Sequence, residues 1–185
     1  VKRKAPRPDF RRIGSCTLIF ALAALSACAG RQPEMETVDY VDLPRFMGDW
    51  YVVANIPTFV EKGAHNAVES YELNPDGTIA TTFRFSVGGF DGEAKEYKPT
   101  GFIRNTETNA LWGMQFVWPF KGDYRIVYLD DEYTQTIIGR QKRDFVWIMA
   151  RTPTLPGDDY ERLLQFCEAL GYDRAQIRKV PQRWP

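Results

Sequence analysis

Few side chains in this 185-residue sequence could do covalent or acid–base chemistry, and their spacing limits what that chemistry could be. His65 is the single histidine, so neither a multi-histidine metal site nor a Ser-His-Asp triad can be assembled, and a solvated loop or strand end is its expected place. Asp130, Asp131 and Glu132 supply adjacent carboxylates, but they fall in an expected turn with no accompanying nucleophile or acid/base partner. Cys167 falls on the apolar stripe of an expected helix, where a thiol is buried and inert. These residues imply no catalysis, no metal and no cofactor.

Cys28 is different. Basic residues up to Arg12 precede an uncharged apolar run from Thr17 to Leu25, which is too short to remain as a membrane-spanning helix and leads into Leu25-Ser26-Ala27-Cys28. This resembles a bacterial lipoprotein signal peptide. The resemblance implies cleavage before Cys28, a diacylglycerol thioether on its sulfur and acylation of the new amino group, which together anchor the chain. Ala29 follows the cysteine rather than Asp, which points to the outer membrane. The alternative is an unlipidated secreted protein in which Cys28 is incidental. The expected organisation is a signal peptide over 1–27, a lipidated tether over 28–40 and one domain over 41–185. Cys16 leaves with the signal and Cys28 is consumed, so Cys167 has no disulfide partner.

Charge narrows the partners. The first 27 residues hold six basic side chains against Asp9, so the formal neutrality of the whole chain conceals a main body near −5. Nucleic acid, which requires clustered positive charge, is a poor fit.

The positioning elements are mostly strands. Asp42-Leu43-Pro44-Arg45-Phe46-Met47-Gly48 reads as a short helical turn with a cap, an early proline and a terminal glycine. Period-2 patterning then runs for about a hundred residues, punctuated by turn signals such as Asn74-Pro75-Asp76-Gly77, Gly88-Gly89 and Asp91-Gly92. About eight strands at roughly ten-residue spacing suggest an antiparallel up-and-down sheet, and closing it into a β-barrel removes the exposed edges. Beyond Pro156 the period becomes 3.6, with Tyr160, Leu163, Leu164, Cys167 and Leu170 forming one apolar stripe; this is an amphipathic α-helix packed outside the barrel. A last short strand is expected around Gln176 to Val180.

Three motifs stand in order along these elements. Gly48-Asp49-Trp50 opens the first strand, Asp130-Asp131-Glu132-Tyr133 forms an acidic turn, and Arg151 ends the strand Phe145 to Arg151. Together they resemble the lipocalin family, specifically its bacterial and apolipoprotein D-like group, across essentially the whole mature domain. A long cation lying across an indole closes one end of such a barrel by packing, cation–π attraction and hydrogen bonds to carbonyls. Gly48, Trp50, Asp130, Tyr133 and Arg151 are therefore expected to be fold residues. The acidic turn departs from the family's commoner Thr-Asp-Tyr form, which loosens the pairing implied for Asp131 and Tyr133.

The family places its ligand among inward-facing residues of the open end. The matching positions are Tyr71, Phe83 and Trp147, joined by Trp112, Met114 and Phe116 on one strand and by Tyr124, Ile126 and Tyr128 on the next. Large apolar side chains with tyrosine hydroxyls suit a long apolar ligand with a polar head. The resemblance implies a carrier of fatty acids or lysophospholipids at the outer membrane, and a homodimer is compatible with it. Two other readings stay open: a lipocalin-like isomerase or epoxide-processing enzyme, and an envelope interaction module with a filled barrel. The loop Pro57 to Gly63 would cross the barrel mouth as a lid, a membrane contact or a plain connection.

Overall fold

The alternating stretches fold as strands because every second side chain finds a common interior. In the computed structural model, which describes residues 32–184, they run as β1 (Gly48–Ile56), β2 (Ala64–Leu73), β3 (Ile79–Val87), β4 (Glu93–Tyr97), β5 (Thr100–Ile103), β6 (Leu111–Val117), β7 (Phe120–Leu129), β8 (Gln135–Gly139) and β9 (Val146–Ala150). Each strand pairs antiparallel with its neighbour, and β9 returns to β1 from Tyr51↔Ala150 to Ile56↔Val146, closing the ring. β4 and β5 both pair with β3 and form one stave interrupted at Lys98-Pro99, where proline has no N–H to give the ladder. Counted so, the barrel has eight staves.

Strand direction sorts the loops between two ends. The β2–β3, β5–β6 and β7–β8 turns lie with the N-terminal end of β1, and the β1–β2, β3–β4, β6–β7 and β8–β9 connections lie at the other end, the mouth. A four-residue helix, α1 (Leu43–Phe46), is capped by the Asp42 carboxylate and reaches the first end just before β1. Among the described residues no helix is long and apolar enough to cross a membrane.

Two apolar clusters result from the two faces of the sheet. The inner one contains Phe46, Trp50, Tyr71, Phe83, Trp112, Tyr124, Ile126 and Met149. The outer one forms where α2 (Gly157–Ala169) lays Leu163, Leu164 and Cys167 over a wall that includes Val53, Val127, Ile137 and Ile148. Asp158 and Asp159 sit in the first turn of α2, where the positive end of the helix dipole favours them. Burial there pushes the Cys167 thiol up to about 12. After a 3₁₀ turn (Arg174–Gln176), β10 (Arg178–Lys179) pairs with Ala54 and Asn55 where β1 has parted from β2. Gln182 Nε2 donates to the carbonyls of Val52 (2.8 Å) and Ala67 (3.2 Å) in the same gap.

One expectation needs correction. The stretch assigned to a tether does not stay free up to residue 40: from Met35 it is docked on the wall. Met35 N–H donates to Gln141 Oε1 (2.8 Å), its carbonyl accepts from Arg125 (2.7 Å), and Val38 N–H donates to the Ile126 carbonyl (3.0 Å). The Met35 side chain is fully buried because Gly139 has none; a Cβ there would stand 2.8 Å from the Met35 sulfur. The polarity of the flanking residues hid a single apolar anchor. The expected signal segment 1–27 and the lipidation site Cys28 lie outside the described residues.

Candidate functional site

The end of the barrel beside α1 is closed by side chains. Phe46 packs its ring against those of Trp50 (5.1 Å), Tyr71 (5.6 Å) and Trp112 (5.6 Å), and Trp50 Nε1 donates to the Phe46 carbonyl (2.8 Å). The Arg151 guanidinium lies 3.9 Å from the Trp50 ring and donates to the carbonyls of Arg45, Phe46, Met47, Asp49 and Tyr133. Gly48, at φ +92°, turns the chain into β1 beneath that guanidinium, in a backbone conformation that a residue with a side chain would adopt only under strain. Asp130 holds its turn by accepting from the backbone N–H of Thr134 (2.7 Å) and Gln135 (2.8 Å). The Tyr133 hydroxyl accepts from Asp42 N–H (2.9 Å), while Asp131 contributes only its carbonyl, to Arg45 (2.8 Å). These motif residues therefore build the floor.

Above the floor, the inward residues of β2 and β7 make a polar layer. Tyr71 donates its hydroxyl to Glu69 Oε2 and shares a 2.6 Å hydrogen bond with the Tyr124 hydroxyl across the lumen. Glu69 faces Trp50 in the β1 ladder and Phe83 in the β3 ladder and is 9% exposed. Burial raises its carboxyl to about 7; the Tyr71 hydroxyl draws it partway back, and the charge on Glu61 adds to the rise. The Tyr71 and Tyr124 hydroxyls are pushed up, first by the same burial and then by Glu69.

Nearer the mouth stand Ala67, Phe83, Phe85 and Met114, with Trp147 half-buried beside them. Trp147 Nε1 donates to Glu61 Oε1 (2.7 Å), and Thr58 N–H donates to Glu61 Oε2 (2.8 Å), so a buried carboxylate pins the β1–β2 loop over the rim. His65 sits at the start of β2 with Nδ1 2.9 Å from the Gly63 carbonyl and its ring edge-on to Phe90.

Of the nine residues proposed from sequence to meet a ligand, Tyr71, Phe83, Trp112, Met114, Tyr124, Ile126 and Trp147 line or pack on the lumen. Two do not. Tyr128 lies outside, under α2, with its ring 5.3 Å from Phe166 and its hydroxyl accepting from Arg162 (2.7 Å). The β7–β8 register shifts between Ile126 and Tyr128, and one extra residue inverts the side on which every later side chain falls. Phe116 lies within a similar shift between Met114 and Val117 and is 58% exposed on the β6–β7 hairpin. The reading from sequence missed Glu69 and Glu61. For Glu69 the signal was present, because Ala67, Glu69 and Tyr71 alternate and an inward Tyr71 requires an inward Glu69.

Comparison with known proteins agrees with this architecture. The lipocalin-like domain family matches residues 41–182. The chain is 32% identical over 160 residues to temperature-induced lipocalin-1 of Arabidopsis thaliana, covering 80% of this chain and 83% of that protein. It is 26% identical to the outer membrane lipoprotein Blc of Vibrio cholerae, covering 90% of this chain and 97% of the other. Among solved structures, insecticyanin from the tobacco hornworm superposes with a TM-score of 0.64 at 16% identity, over 82% of this chain and 86% of that one.

Proposed function

The chain belongs to the lipocalin-like family, and on that premise we propose that its barrel carries a single-chain lipid, a fatty acid or lysophospholipid, without altering it. The observation that carries this reading is the lining of the barrel's interior. Its floor is sealed by Phe46, Trp50 and Arg151, its middle offers Glu69, Tyr71 and Tyr124 for a polar group, and its upper wall is apolar. Removing a methylene from water contributes about 0.8 kcal/mol. Micromolar affinity is roughly 8 kcal/mol, so one acyl chain suffices if most of it is buried.

The rim supports exchange with a lipid surface. Phe59 on the β1–β2 loop, and Phe116, Val117, Trp118 and Phe120 on the β6–β7 hairpin, are all exposed at the mouth, Trp118 at 82%. Apolar groups gathered at one end of a protein mark a contact surface. The proposed address is the bacterial outer membrane, with lipid on Cys28; the relatives named outer membrane lipoproteins are consistent with it. The full chain should fractionate with outer membranes, and Cys28→Ala should lose that partition; a Cys28→Ala protein that still fractionates there would refute the anchor.

Residues 34–185 form one unit with its own cores, so the carrier reading is tested on protein starting at residue 28 with Cys28→Ala. Tryptophan fluorescence titrated with a long-chain fatty acid and a lysophospholipid should saturate in the micromolar range. Phe83→Arg, which puts a charge in the upper lumen, should weaken binding at least tenfold. Ligand recovered after binding should be chemically unchanged. A well-folded barrel that binds neither lipid would favour the interaction-module reading, and conversion of the lipid would favour the enzyme.

A further inference from the structure

We propose that Glu69, with Tyr71 and Tyr124, is a head-group anchor above the barrel floor that takes a long-chain monocarboxylic acid head-first and shares one proton with its carboxylate. This deepens the carrier reading and rests on it.

Hydrogen-bond direction fixes which atom of the cluster can meet a ligand. Tyr71 gives its proton to Glu69 Oε2, so the Tyr124 hydroxyl must give its own to the Tyr71 oxygen, and neither hydroxyl has a proton left for Glu69 Oε1. Glu69 Oε1 takes part in no hydrogen bond among the described residues. A proton carried by Glu69 therefore sits on Oε1, the one donor of the cluster left to face the lumen's occupant.

The surroundings decide which ligand. The titratable groups around Glu69 are Tyr71 on its own strand, Tyr124 on β7 and Glu61 from the β1–β2 loop; its ladder neighbours on β1 and β3 are the uncharged Trp50 and Phe83. Arg151 acts on Tyr71 from beneath the floor, but its hydrogen bonds go to five backbone carbonyls. Among the described residues no cation pairs with Glu69, so an anionic head cannot be matched there by fixed positive charge. Two carboxylates in contact repel, and one shared proton converts the repulsion into a charge-assisted hydrogen bond. The folded carboxyl, at about 7, holds that proton near neutrality. A zwitterionic phospholipid head keeps both of its charges whether or not Glu69 is protonated and would not enter this layer.

Depth sets the orientation. Tyr71 pairs with Gly48, the first residue of β1, and Glu69 pairs with Trp50, so the anchor rests directly on the residues of the floor. The acyl chain then runs upward past Met114, Phe83 and Phe85 toward Trp147 and the apolar rim.

Proton balance gives the test. Above about pH 7 both free carboxyls are ionised, the complex holds one proton, and binding takes that proton from solvent. Titration with hexadecanoic acid between pH 6 and 9 should show affinity nearly level up to about 7 and falling about tenfold per pH unit above it. Hexadecanol, which carries no charge, should bind with level affinity throughout. Glu69→Gln keeps an acceptor for Tyr71 and a donor for the ligand, and should bind the acid with no pH dependence in this range. Acid binding by the unaltered protein that is level with pH, or a pH dependence that survives Glu69→Gln, would overturn the anchor while leaving the carrier. Failure to bind either the acid or the alcohol would overturn both.

Discussion

Trp50→Ala is expected to lower the unfolding free energy by about 4 kcal/mol, seen as a fall in the urea midpoint with little change in slope. The indole is fully buried between the Phe46 ring and the Arg151 guanidinium, and its N–H is held by the Phe46 carbonyl. Truncation leaves a cavity between the Phe46 ring and the Arg151 guanidinium, and the Phe46 carbonyl keeps only its bond from Arg151. Arg151→Ala should cost about 3 kcal/mol, because five carbonyls each lose a hydrogen bond together, with Phe46 keeping the one from Trp50 Nε1. The two losses share one structure, so the double variant should cost less than their sum by at least about 1 kcal/mol. Simple additivity would show that the cation–indole stack is not what seals the floor.

Glu69→Gln should act in the opposite direction at neutral pH and above. An unfolded Glu69 ionises near its ordinary value of 4.5, while the folded carboxyl is raised to about 7. The stability conferred by the protonated form is fully present below the unfolded value and is lost as pH rises through the folded one. Over that window the loss is on the order of 3 kcal/mol, since each tenfold difference in proton affinity between the two states is worth about 1.4 kcal/mol. The glutamine variant should match the parent at pH 4 and exceed it by about 2 to 3 kcal/mol at pH 8, flattening the profile. Parallel pH–stability curves for the two proteins would show that Glu69 is ionised and well solvated in the folded state.

The frame of this molecule was open to reading because its elements repeat. Trp50 and Val52 on β1, and Trp112 and Met114 on β6, alternate cleanly, so burial of one residue implied burial of the next but one. The helix over Gly157–Ala169 was equally plain from its stripe of Leu163, Leu164 and Cys167. Alternation fails wherever the register slips by one residue. Tyr128 and Phe116 lie at such slips, and nothing in the residue types of Arg125 to Leu129 announces an extra residue in the ladder. Glu69 was passed over for a different reason. A carboxylate in a strand is ordinarily the solvated partner of an apolar neighbour, and its position opposite Trp50 outweighs that habit only once Tyr71 and Tyr124 are known to supply its hydrogen bonds. Met35 shows the same limit at the chain's edge, since the hole it fills is made by Gly139, 104 positions away.

The docking of Met35 also sets a leash. The segment joins the wall beside Gly139 and Gln141, where β8 ends and the β8–β9 connection begins, so the chain leaves the barrel on the same side as the mouth. Were Cys28 to carry lipid, only residues 29–34 would separate the acyl chains from that point, a reach of about 20 Å when fully extended. A tether so short would hold the rim at a high effective concentration against the bilayer and would keep the sealed floor turned away from it. Lengthening it by a flexible insertion after residue 30 would leave the barrel intact and free it to tumble, turning a fixed portal into a wandering one.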